Sequence, residues 1–554
     1  MNRGGRPLDN VWHHFFKITE NGKTIAKCKK CGHVQANRAE RLKNHINTCQ
    51  KQDIKEDQVE DMDNEILKDP NITLKKRRIQ SDLDGFAIKT TPAIAHKLDI
   101  LIAKFFYANN IPFSVAEDEH FLDLISTLRP GYKSPNRKQL SGKLLEEVTT
   151  EIEEKIKKNV IGKVGTLIED GWSNIHNDPI TASCLHVDGN AYFLRAVECG
   201  AEAKTAEFIL EKVKESINLA NDKYGCQVKS VVTDNARNME KMRRLLHEEN
   251  NSIFVYGCSS HNLNLLGQSL TPESIMKNVI EVQKYFRNHH APSGWLQELE
   301  GSVKPQLPGD TRWNSQMDCM SSFLRNRQSY QVIVKDHEDE INAHVAEIIN
   351  DYNLYKDVTD VVQMLDPVSQ ALDKLQGEKA NVSEACHTWL GLIEEESLQA
   401  CKSIVSTRMN KALKPFHFFA YLMDHKYRGK RLSPEQREIA REWLKNIQVE
   451  NFPFVIAFEA EASPYPATYF SAAAVTMHPV IWWNAVAKSS SIPSNFVAII
   501  TQLLSSPASS ASIERVFSSF SGVHSNLRNR LGVVKAAKLV FCYRALRGPM
   551  ESEY

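Results

Sequence analysis

The strongest constraint on the fold of this chain is a series of strand and helix patterns between residues 164 and 270. Short apolar runs rich in β-branched residues predict strands at 164–170, 180–187, 191–197, 229–233 and 253–256. The turn sequence Asp188-Gly189-Asn190 joins the second strand to the third, so the first three strands form a meander. Helical periodicity is present at about 203–221, between the last two strands, and from about 261. The predicted order is therefore βββαβαβα.

This order is that of a ribonuclease H-like fold, in which the first and fourth strands lie side by side. Asp170 ends the first strand and Asp234 follows the fourth, so we expect two carboxylates to meet at one edge of the sheet. Neighbouring carboxylates repel each other unless divalent cations neutralise them, and two such cations can stabilise an in-line phosphoryl displacement. The alternative is that each aspartate only forms a turn or caps a helix.

A second constraint is a set of four potential zinc ligands near the start of the chain. Cys28 and Cys31 form a CxxC pair, and His45 and Cys49 follow after thirteen further residues. Residues four apart share one face of a helix, so His45 and Cys49 can complete a tetrahedral site together with the CxxC pair. The spacing predicts a small ββα-type zinc finger at residues 1–52, with a strand at 24–28. Bound Zn²⁺ would support a core this small.

The charge of the chain is unevenly distributed. The 69 Lys+Arg and 68 Asp+Glu residues give a net charge of +1, which by itself argues against a strongly basic nucleic-acid binder. Residues 1–50, however, carry ten basic and three acidic side chains, whereas residues 51–70 carry three basic and eight acidic side chains. The basic finger predicts double-stranded DNA as a partner, with a protein-binding finger as the alternative.

The acidic stretch belongs to a polar segment, residues 53–90, that we expect to be a flexible linker. It also contains the cluster Lys75-Lys76-Arg77-Arg78. Such a cluster is either a nuclear localisation signal or an ordinary solvated surface. We favour the signal, and with it a nuclear location.

Length and composition exclude several classes of protein. A chain of 554 residues with 42% hydrophobic residues can form about three to five compact units. It contains no long uninterrupted apolar run and no apolar signal core at its start, so we expect neither membrane association nor secretion. Eleven dispersed cysteines fit reduced thiols in an intracellular compartment better than a disulfide framework.

Residues 91–160 have the periodicity of helices. The predicted apolar faces consist of Leu98, Ile102, Phe105 and Phe106 in one helix and of Leu122, Ile125 and Leu128 in another. The loop between them and the next helix carries Arg129, Lys133, Arg137 and Lys138. This loop is either a DNA contact or a solvated turn.

Four motifs occur in a fixed order along the chain. They are LIEDGWS at 167–173, VVTDN at 231–235, CSSHNLNL at 258–265 and SSASIERVFS at 509–518. Together with the finger, they resemble the hAT superfamily of DNA transposases, whose members often carry an N-terminal BED-type finger. The resemblance covers the finger and most of residues 92–546. Single motifs are weak, but their order and spacing make the set specific.

The resemblance implies a catalytic triad of Asp170, Asp234 and Glu514, which would bind Mg²⁺ or Mn²⁺. Glu514 falls on a predicted helix with the apolar stripe Ile513, Val516, Phe517 and Phe520. Because 280 residues separate it from Asp234, a catalytic core at 161–268 and 495–554 must be interrupted by a helical insertion domain at 269–494. The family pattern also makes 91–160 a helical DNA-binding or intertwining region.

The resemblance implies further site residues. Basic residues of the finger would contact DNA, with Arg38, Arg41 and Lys43 as candidates and Lys27, Lys29 and Lys30 on phosphates. Cys258 and His261 would shape the active site and hold DNA near the cleavage point, since a zinc site there would need two further ligands. Arg312 would bind phosphate, and Trp313 would stack on a base displaced from the duplex. The alternative for Trp313 is an ordinary core residue.

The end of the chain resembles the C-terminal dimerisation region of the same family. Trp482, Trp483 and the apolar run 495–504 carry this part of the resemblance, with internal packing as the alternative. The implied assembly is a homodimer or a higher homo-oligomer.

The leading hypothesis is a metal-dependent transposase that binds transposon ends, cleaves DNA with hairpin formation on the flanks, and joins the 3′ ends to target DNA. The alternative is a domesticated transposase that acts as a nuclear DNA-binding regulator without catalysis. A nuclease of the same fold that does not transpose is the third hypothesis.

Overall fold

The computed structural model describes residues 14–20, 23–36, 41–46, 49, 90–173, 178–199, 205–309, 313–489, 491–524 and 531–548. The chain divides into two compact units, residues 1–87 and 88–554. The basic cluster at 75–78 and the linker around it lie outside the described residues, so the predicted localisation signal stays an expectation.

The first unit contains a small antiparallel sheet in the order β1-β2-β3. Its strands are β1 (Phe15–Glu20), β2 (Lys23–Cys28) and β3 (Val34–Ala36), and residues 41–46 are helical. The predicted strand at 24–28 and the helical position of His45 are confirmed. The ββα prediction was incomplete, because among the described residues a third strand pairs with β2 between the CxxC pair and the helix.

The core of this unit is small. It consists of Phe15, Ala26, Cys28, Leu42 and Cys49, with Ile46 packed against them. Phe15 is buried in this core, whereas Phe16 is exposed and its ring contacts the Lys29 ammonium at 5.2 Å. Successive side chains of a strand point to opposite faces, so only one of these two phenylalanines can face the core.

The second unit begins with helices. They are α1 (Pro92–Ala108), α2 (Glu119–Leu128), α3 (Arg137–Leu140) and α4 (Lys143–Val160). The hydroxyl of Thr91 caps α1, with Pro92 as its first residue, and Asn136 forms a capping box with Gln139 at α3. The predicted helical character of this region is confirmed.

The predicted apolar faces of α1 and α2 were partly wrong. The buried side chains of α1 are Ala103, Phe106 and Tyr107, whereas Phe105 is 56% exposed. In α2 no side chain is fully buried, and Leu128 is 70% exposed. A helix packed on one side only can still carry apolar residues on its outer side, and periodicity alone does not show which stripe is covered.

A mixed sheet with the order β6-β5-β4-β7-β8 forms the centre of the second unit. Its strands are β4 (Val164–Ser173), β5 (Pro179–Val187), β6 (Asn190–Glu198), β7 (Gln227–Thr233) and β8 (Phe254–Gly257). β4, β5 and β6 pair antiparallel, whereas β4 pairs parallel with β7 and β7 with β8. The turn between β5 and β6 has positive φ at both Asp188 and Gly189, as a type I′ turn requires. The predicted strands, their order and the meander are confirmed.

Helices accompany the parallel strands: the first precedes β7, the second joins β7 to β8, and the third follows β8. They are α5 (Ala206–Asn218), which begins after the Thr205 cap, α6 (Arg237–Glu249) and α7 (Ser259–Leu270). The inward face predicted for α5, consisting of Ala206, Ile209, Leu210 and Val213, is buried.

The segment from about 270 to 490 is helical, as predicted. Its helices are α8 (Glu273–Asn288), α9 (His290–Glu298), α10 (Asn314–Arg325), α11 (Arg327–Asp336), α12 (Ala343–Asn350), α13 (Tyr352–Gln376), α14 (Val382–Glu394), α15 (Lys402–Ala412), α16 (Pro415–Met423), α17 (Pro434–Gln448), α18 (Phe452–Glu459), α19 (Ala472–Val475) and α20 (Pro479–Ser489). Among the helices that the structure describes, none combines the length and apolar content needed to cross a bilayer.

The end of the chain returns to the sheet through α21 (Ser494–Ser505), α22 (Ala511–Val523) and α23 (Val533–Arg547). α22 packs against β4, β5 and β6, and α23 packs against β6, α1 and α4. The first helices and the last helices of the second unit are therefore packed together. This packing brings residues far apart in sequence to the same sheet.

A close contact between α7 and Trp313 explains why residue 267 is a glycine. A Cβ atom on Gly267 would lie 2.2 Å from the Trp313 ring, inside the contact distance of any two carbon atoms. We expect Gly267→Ala to destabilise the second unit by about 1–3 kcal/mol, because the packed ring has to shift. Gly294→Ala is the matched control, since its added methyl group meets open space in another helix. The melting temperatures of both variants provide the test, and equal values would contradict the contact.

Candidate active site

Asp170 and Asp234 lie next to each other because of the register between β4 and β7. Glu169 is paired with Thr233 at the end of this parallel ladder, and the two aspartates are the residues that follow. The carboxyl ends of parallel strands lie at the same edge of a sheet. The predicted juxtaposition of the two strands that carry these acids is confirmed.

The electrostatic environment of Asp170 shows how close the acids are. The pKa of its carboxyl is raised to about 8, chiefly by burial and in addition by the nearby carboxylates of Asp234 and Glu514. One hydrogen bond opposes them, donated by the Gly171 amide to Asp170 Oδ1 at 2.7 Å. Like charges that disfavour ionisation in this way are typical of sites that take up cations.

Glu514 reaches this site because α22 is anchored on β4. The Phe517 ring stacks on Trp172 with 4.3 Å between ring centroids, and Phe520 contacts the same indole at 4.9 Å. Ile513, Val516 and Phe520 are buried, which confirms the predicted stripe. Glu514 lies one helical turn before Phe517, so the stacked ring positions the segment that carries the carboxylate.

A hydrogen-bonded clamp holds the loop that carries Asp234. The Arg243 guanidinium donates to the Asp234 carbonyl and to the Thr233 hydroxyl. The Asn235 amide donates to the Cys258 carbonyl at 2.8 Å, and Asp234 Oδ1 accepts from the Ala236 amide at 3.1 Å. The backbone on both sides of the acid is therefore fixed by groups from α6 and from the loop after β8.

The clamp depends on a glycine. A Cβ atom on Gly257 would lie 1.7 Å from Asn235 Oδ1 and 3.3 Å from an Arg243 nitrogen, so only glycine leaves room for both side chains. This arrangement was not predicted from the sequence. Two signals could have indicated it: a glycine at the end of a strand, and an arginine on the apolar stripe of a helix that also buries Met239 and Met242.

Cys258 and His261 lie beside the acids. Cys258 Sγ accepts hydrogen bonds from the His261 amide at 3.4 Å and from the Ser510 amide at 3.3 Å, which ties the start of α7 to the segment before α22. Burial lowers the pKa of His261, while Asp234 and Glu514 act in the opposite direction. The imidazole is therefore within electrostatic reach of two of the three acids.

A buried carboxyl group behind the site was also missed. Glu169 is fully buried and accepts hydrogen bonds from the hydroxyls of Thr181, at 2.6 Å, and Ser183. Burial raises its pKa to about 7, which these two hydrogen bonds counteract. Because neighbouring residues of a strand face opposite sides, Glu169 lies behind Asp170 and supports β4 from the other face of the sheet.

Trp313 is buried, with 0% exposure. Its indole NH donates to Thr271 Oγ1 at 2.8 Å, and its backbone amide donates to Asn264 Oδ1 at 2.6 Å. These contacts favour the alternative of a core residue, and stacking on a base would require the ring to leave this position. Arg312 lies outside the described residues.

The basic loop before α4 is partly engaged within the chain. Arg129 Nε donates to Thr90 Oγ1 at 3.3 Å, and Arg137 forms an ion pair with Glu117 at 3.3 Å. Lys133 and Lys138 are exposed. The two lysines keep the DNA-contact hypothesis open, and the two arginines fit an ordinary turn better.

Trp482 and Trp483 are buried within the chain. Their indole NH groups donate to the carbonyls of Tyr469 and Met423, at 3.0 and 2.9 Å. Internal packing is thus the role that these contacts favour for the two tryptophans.

The first unit contains a separate cluster of potential ligands. Atoms of Cys28, Cys31, His45 and Cys49 lie within 4.8 Å of one another, and they form the one such group among the described residues. Burial would raise the pKa of Cys28, but hydrogen bonds from the amides of Cys31 and Lys30 and the contact with His45 bring it down to about 6. Three sulfurs and one imidazole nitrogen are a donor set that fits Zn²⁺.

Several basic side chains surround this cluster. Lys27, Lys29, Lys30, Arg41 and Lys43 are exposed, and Arg38 lies outside the described residues. The predicted basic surface is therefore present where the structure describes it.

Two family models match the chain. A domain of unknown function, DUF659, matches residues 135–285, and the hAT family C-terminal dimerisation region matches residues 466–546. The first match contains Asp170, Asp234, Cys258 and His261, and the second contains Glu514. No curated protein matches the chain.

The raised pKa of Asp170 generates a prediction on stability. The unfolded chain ionises this carboxyl near pH 4, whereas the folded chain keeps the proton up to about pH 8, so the residue destabilises the fold increasingly across this range. We expect Asp170→Asn to raise the free energy of unfolding at pH 8 by at least about 1 kcal/mol and to change little at pH 4. Denaturation in magnesium-free, chelator-free buffer measures the difference. Asp222→Asn, at an exposed site, is the control, and an equal gain at both pH values would contradict the electrostatic cause.

Proposed function

Because the chain belongs to the hAT family of transposases, we propose that it is a metal-dependent DNA transposase with Asp170, Asp234 and Glu514 as its catalytic triad. The observation that carries the proposal is the parallel register of β4 and β7, which sets Asp170 beside Asp234, and the raised pKa of Asp170, to which both other acids contribute, supports it. Glu514 comes from a segment 280 residues away, and the stacking of Phe517 on Trp172, which anchors α22 on β4, supports its role as the third acid.

The sheet supports a ribonuclease H-like catalytic core. An antiparallel meander, β4-β5-β6, is extended on the β4 side by the parallel strands β7 and β8. This strand order supports that fold, in which the ends of β4 and β7 would carry the catalytic carboxylates. The helices between residues 285 and 466 separate the two matched regions, as an insertion domain would.

The donor set of the acids fits Mg²⁺ or Mn²⁺, which prefer carboxylate oxygens. Bound there, the cations would activate water and stabilise the oxygens of an in-line phosphoryl displacement. Asp170 and Asp234 would bind them from adjacent strands, with Glu514 from α22. Arg243 and Asn235 would keep Asp234 in place through the reaction.

Other residues beside the acids would contact DNA. His261 lies near Asp234 and Glu514, where a phosphate of the cleaved strand would be placed, and Cys258 fixes the helix that carries it. We propose hairpin formation on the flanks and transfer of the 3′ ends to target DNA as the family's reaction course. If Trp313 stacks on a displaced base, its ring has to leave the contact with Gly267.

The first unit would be a BED-type zinc finger that binds transposon ends. The ligand atoms of its three cysteines and one histidine are close enough to share one Zn²⁺ ion, and exposed lysines surround them. Base contacts would come from Arg38, Arg41 and Lys43. We also propose a nuclear location, which the basic cluster at 75–78 supports.

Homo-oligomerisation is supported by the matched dimerisation region. α23 of that region packs against α1, and α1 and α2 present exposed apolar side chains. These side chains are Ile94, Leu101, Phe105, Leu122, Leu124 and Leu128. We propose that this surface belongs to the contact between copies of the chain.

The triad predicts that activity depends on each acid. We expect Asp234→Ala and Glu514→Gln to lower metal-dependent cleavage at least about 100-fold, because a lost ligand removes several kcal/mol of transition-state stabilisation. The substrate is duplex DNA taken from the two genomic flanks of the gene, with Mg²⁺ or Mn²⁺, and Asp222→Asn is the control. If the wild type binds DNA but does not cleave it, the result would favour the alternative of a domesticated transposase that acts as a DNA-binding regulator. Cleavage without strand transfer would favour a nuclease.

The finger predicts zinc dependence. We expect the full-length protein to contain about one zinc per chain by elemental analysis and Cys31→Ser to lose most of it, since three ligands bind Zn²⁺ much more weakly than four. Binding to the end DNA should weaken in parallel. Cys401→Ser, at a half-buried cysteine outside the finger, is the matched control. Equal zinc content in both variants would refute the site.

The apolar surface of α1 and α2 predicts a change in mass. We expect Phe105→Glu and Leu128→Glu to convert an oligomer into a monomer of 62.9 kDa, because a buried carboxylate opposes association. Light scattering coupled to size-exclusion chromatography measures the mass. Ile447→Glu introduces the same charge at another exposed apolar position. Oligomers that persist in both surface variants would show that the interface lies elsewhere.

A further inference from the structure

A cavity of about 680 Å³ lies at the end of the sheet opposite the acids. It is bounded by α1, α4, α23, the turn between β5 and β6, and the loop at Glu378. Val187 and Asn190 pair at this turn, whereas Asp170 pairs with Ala182 toward the other end of β5. The cavity is therefore separate from the candidate active site.

The lining of this cavity combines an apolar floor with a basic rim. The floor consists of Ile152, Ile156, Val187, Phe193, Phe541 and Leu546. The rim carries Lys104, Lys155, Lys158 and Lys163. Lys104 pairs with Glu151 and Lys163 with Asp188, whereas neither Lys155 nor Lys158 forms an ion pair with a residue that the structure describes.

Arg544 adds a cation inside the cavity. Its guanidinium is half-buried and donates to the Ser519 hydroxyl at 3.4 Å. The nearby carboxylate of Glu378 is bound by Arg515 at 3.2 Å, and in the described part of the chain no carboxylate pairs with Arg544. Burial lowers the pKa of Arg544, which shows that the charge is held where water solvates it poorly. A guanidinium in such a place is stabilised by an anion that can enter.

We propose that this cavity binds a small amphipathic anion, whose carboxylate, sulfonate or phosphate pairs with Arg544 and whose apolar body covers Phe193 and Phe541. The volume suits a ligand of the size of a fatty acid or an aromatic acid. Lys155 and Lys158 increase the local concentration of anions at the entrance. The site adds a ligand-binding function to the catalytic unit that does not depend on the metal chemistry of the acids.

The test uses 8-anilinonaphthalene-1-sulfonate, an aromatic sulfonate, titrated into the full-length protein. We expect one saturable site in the wild type and at least tenfold weaker binding in Arg544→Met. We expect no binding in Ala545→Trp, because the introduced indole fills the cavity while Arg544 is retained. Arg244→Met removes an exposed arginine elsewhere and should bind as the wild type does. Dodecanoate should displace the dye.

Further measurements define the results that would overturn the proposal. The uncharged analogue N-phenyl-1-naphthylamine should bind at least tenfold more weakly, and equal binding would overturn the role of the cation. Unchanged binding in Ala545→Trp would place the dye elsewhere, including on α1 and α2, and would also overturn the proposal. Displacement by a 12-nucleotide single strand that depends on Arg544 would assign the cavity to nucleic acid instead. If Arg544→Met does not fold, binding of the dye to Ala545→Trp still tests whether the cavity is the binding site.

Discussion

The parallel pairing of β4 with β7 is the interaction on which the rest of the site depends. It sets Asp170 beside Asp234 with no freedom to slip, since a shift of one residue would turn one of the carboxylates to the other face of the sheet. The Arg243 and Asn235 clamp then fixes the loop after β7, and Gly257 leaves space for it. Two like charges held this way favour protonation until a cation compensates them.

The third acid depends on a contact between segments far apart in sequence. Trp172 follows Asp170 in β4, and its stacking on Phe517 ties α22 to the strand that carries the first acid. The Cys258 thiol adds a second tie, through the Ser510 amide. The long helical segment between the matched regions can therefore separate Glu514 from Asp234 in sequence without separating them in space.

Much of this architecture could be predicted from the sequence, because period-two and period-3.6 patterns are strong in β4–β8, α5 and α22. The patterns could not show which apolar stripe of α1 is covered, so Phe105 was assigned to the wrong side. Nor could they show that Trp313 packs on Gly267, or that Arg243 bonds to a backbone carbonyl, since these contacts join segments with no local signal. The short β3 was missed because three residues carry no period.

The central claim is that Asp170, Asp234 and Glu514 surround one cation site, and iron-mediated cleavage of the polypeptide tests it most directly. Fe²⁺ bound in place of Mg²⁺ generates hydroxyl radicals on addition of ascorbate and peroxide, and these cut the backbone beside the metal. Mass spectrometry should find cuts near residues 170, 234 and 514 together, all suppressed by excess Mg²⁺ and absent in Asp234→Ala. Cuts near only one of the three acids, or cuts insensitive to Mg²⁺, would contradict the assembled site.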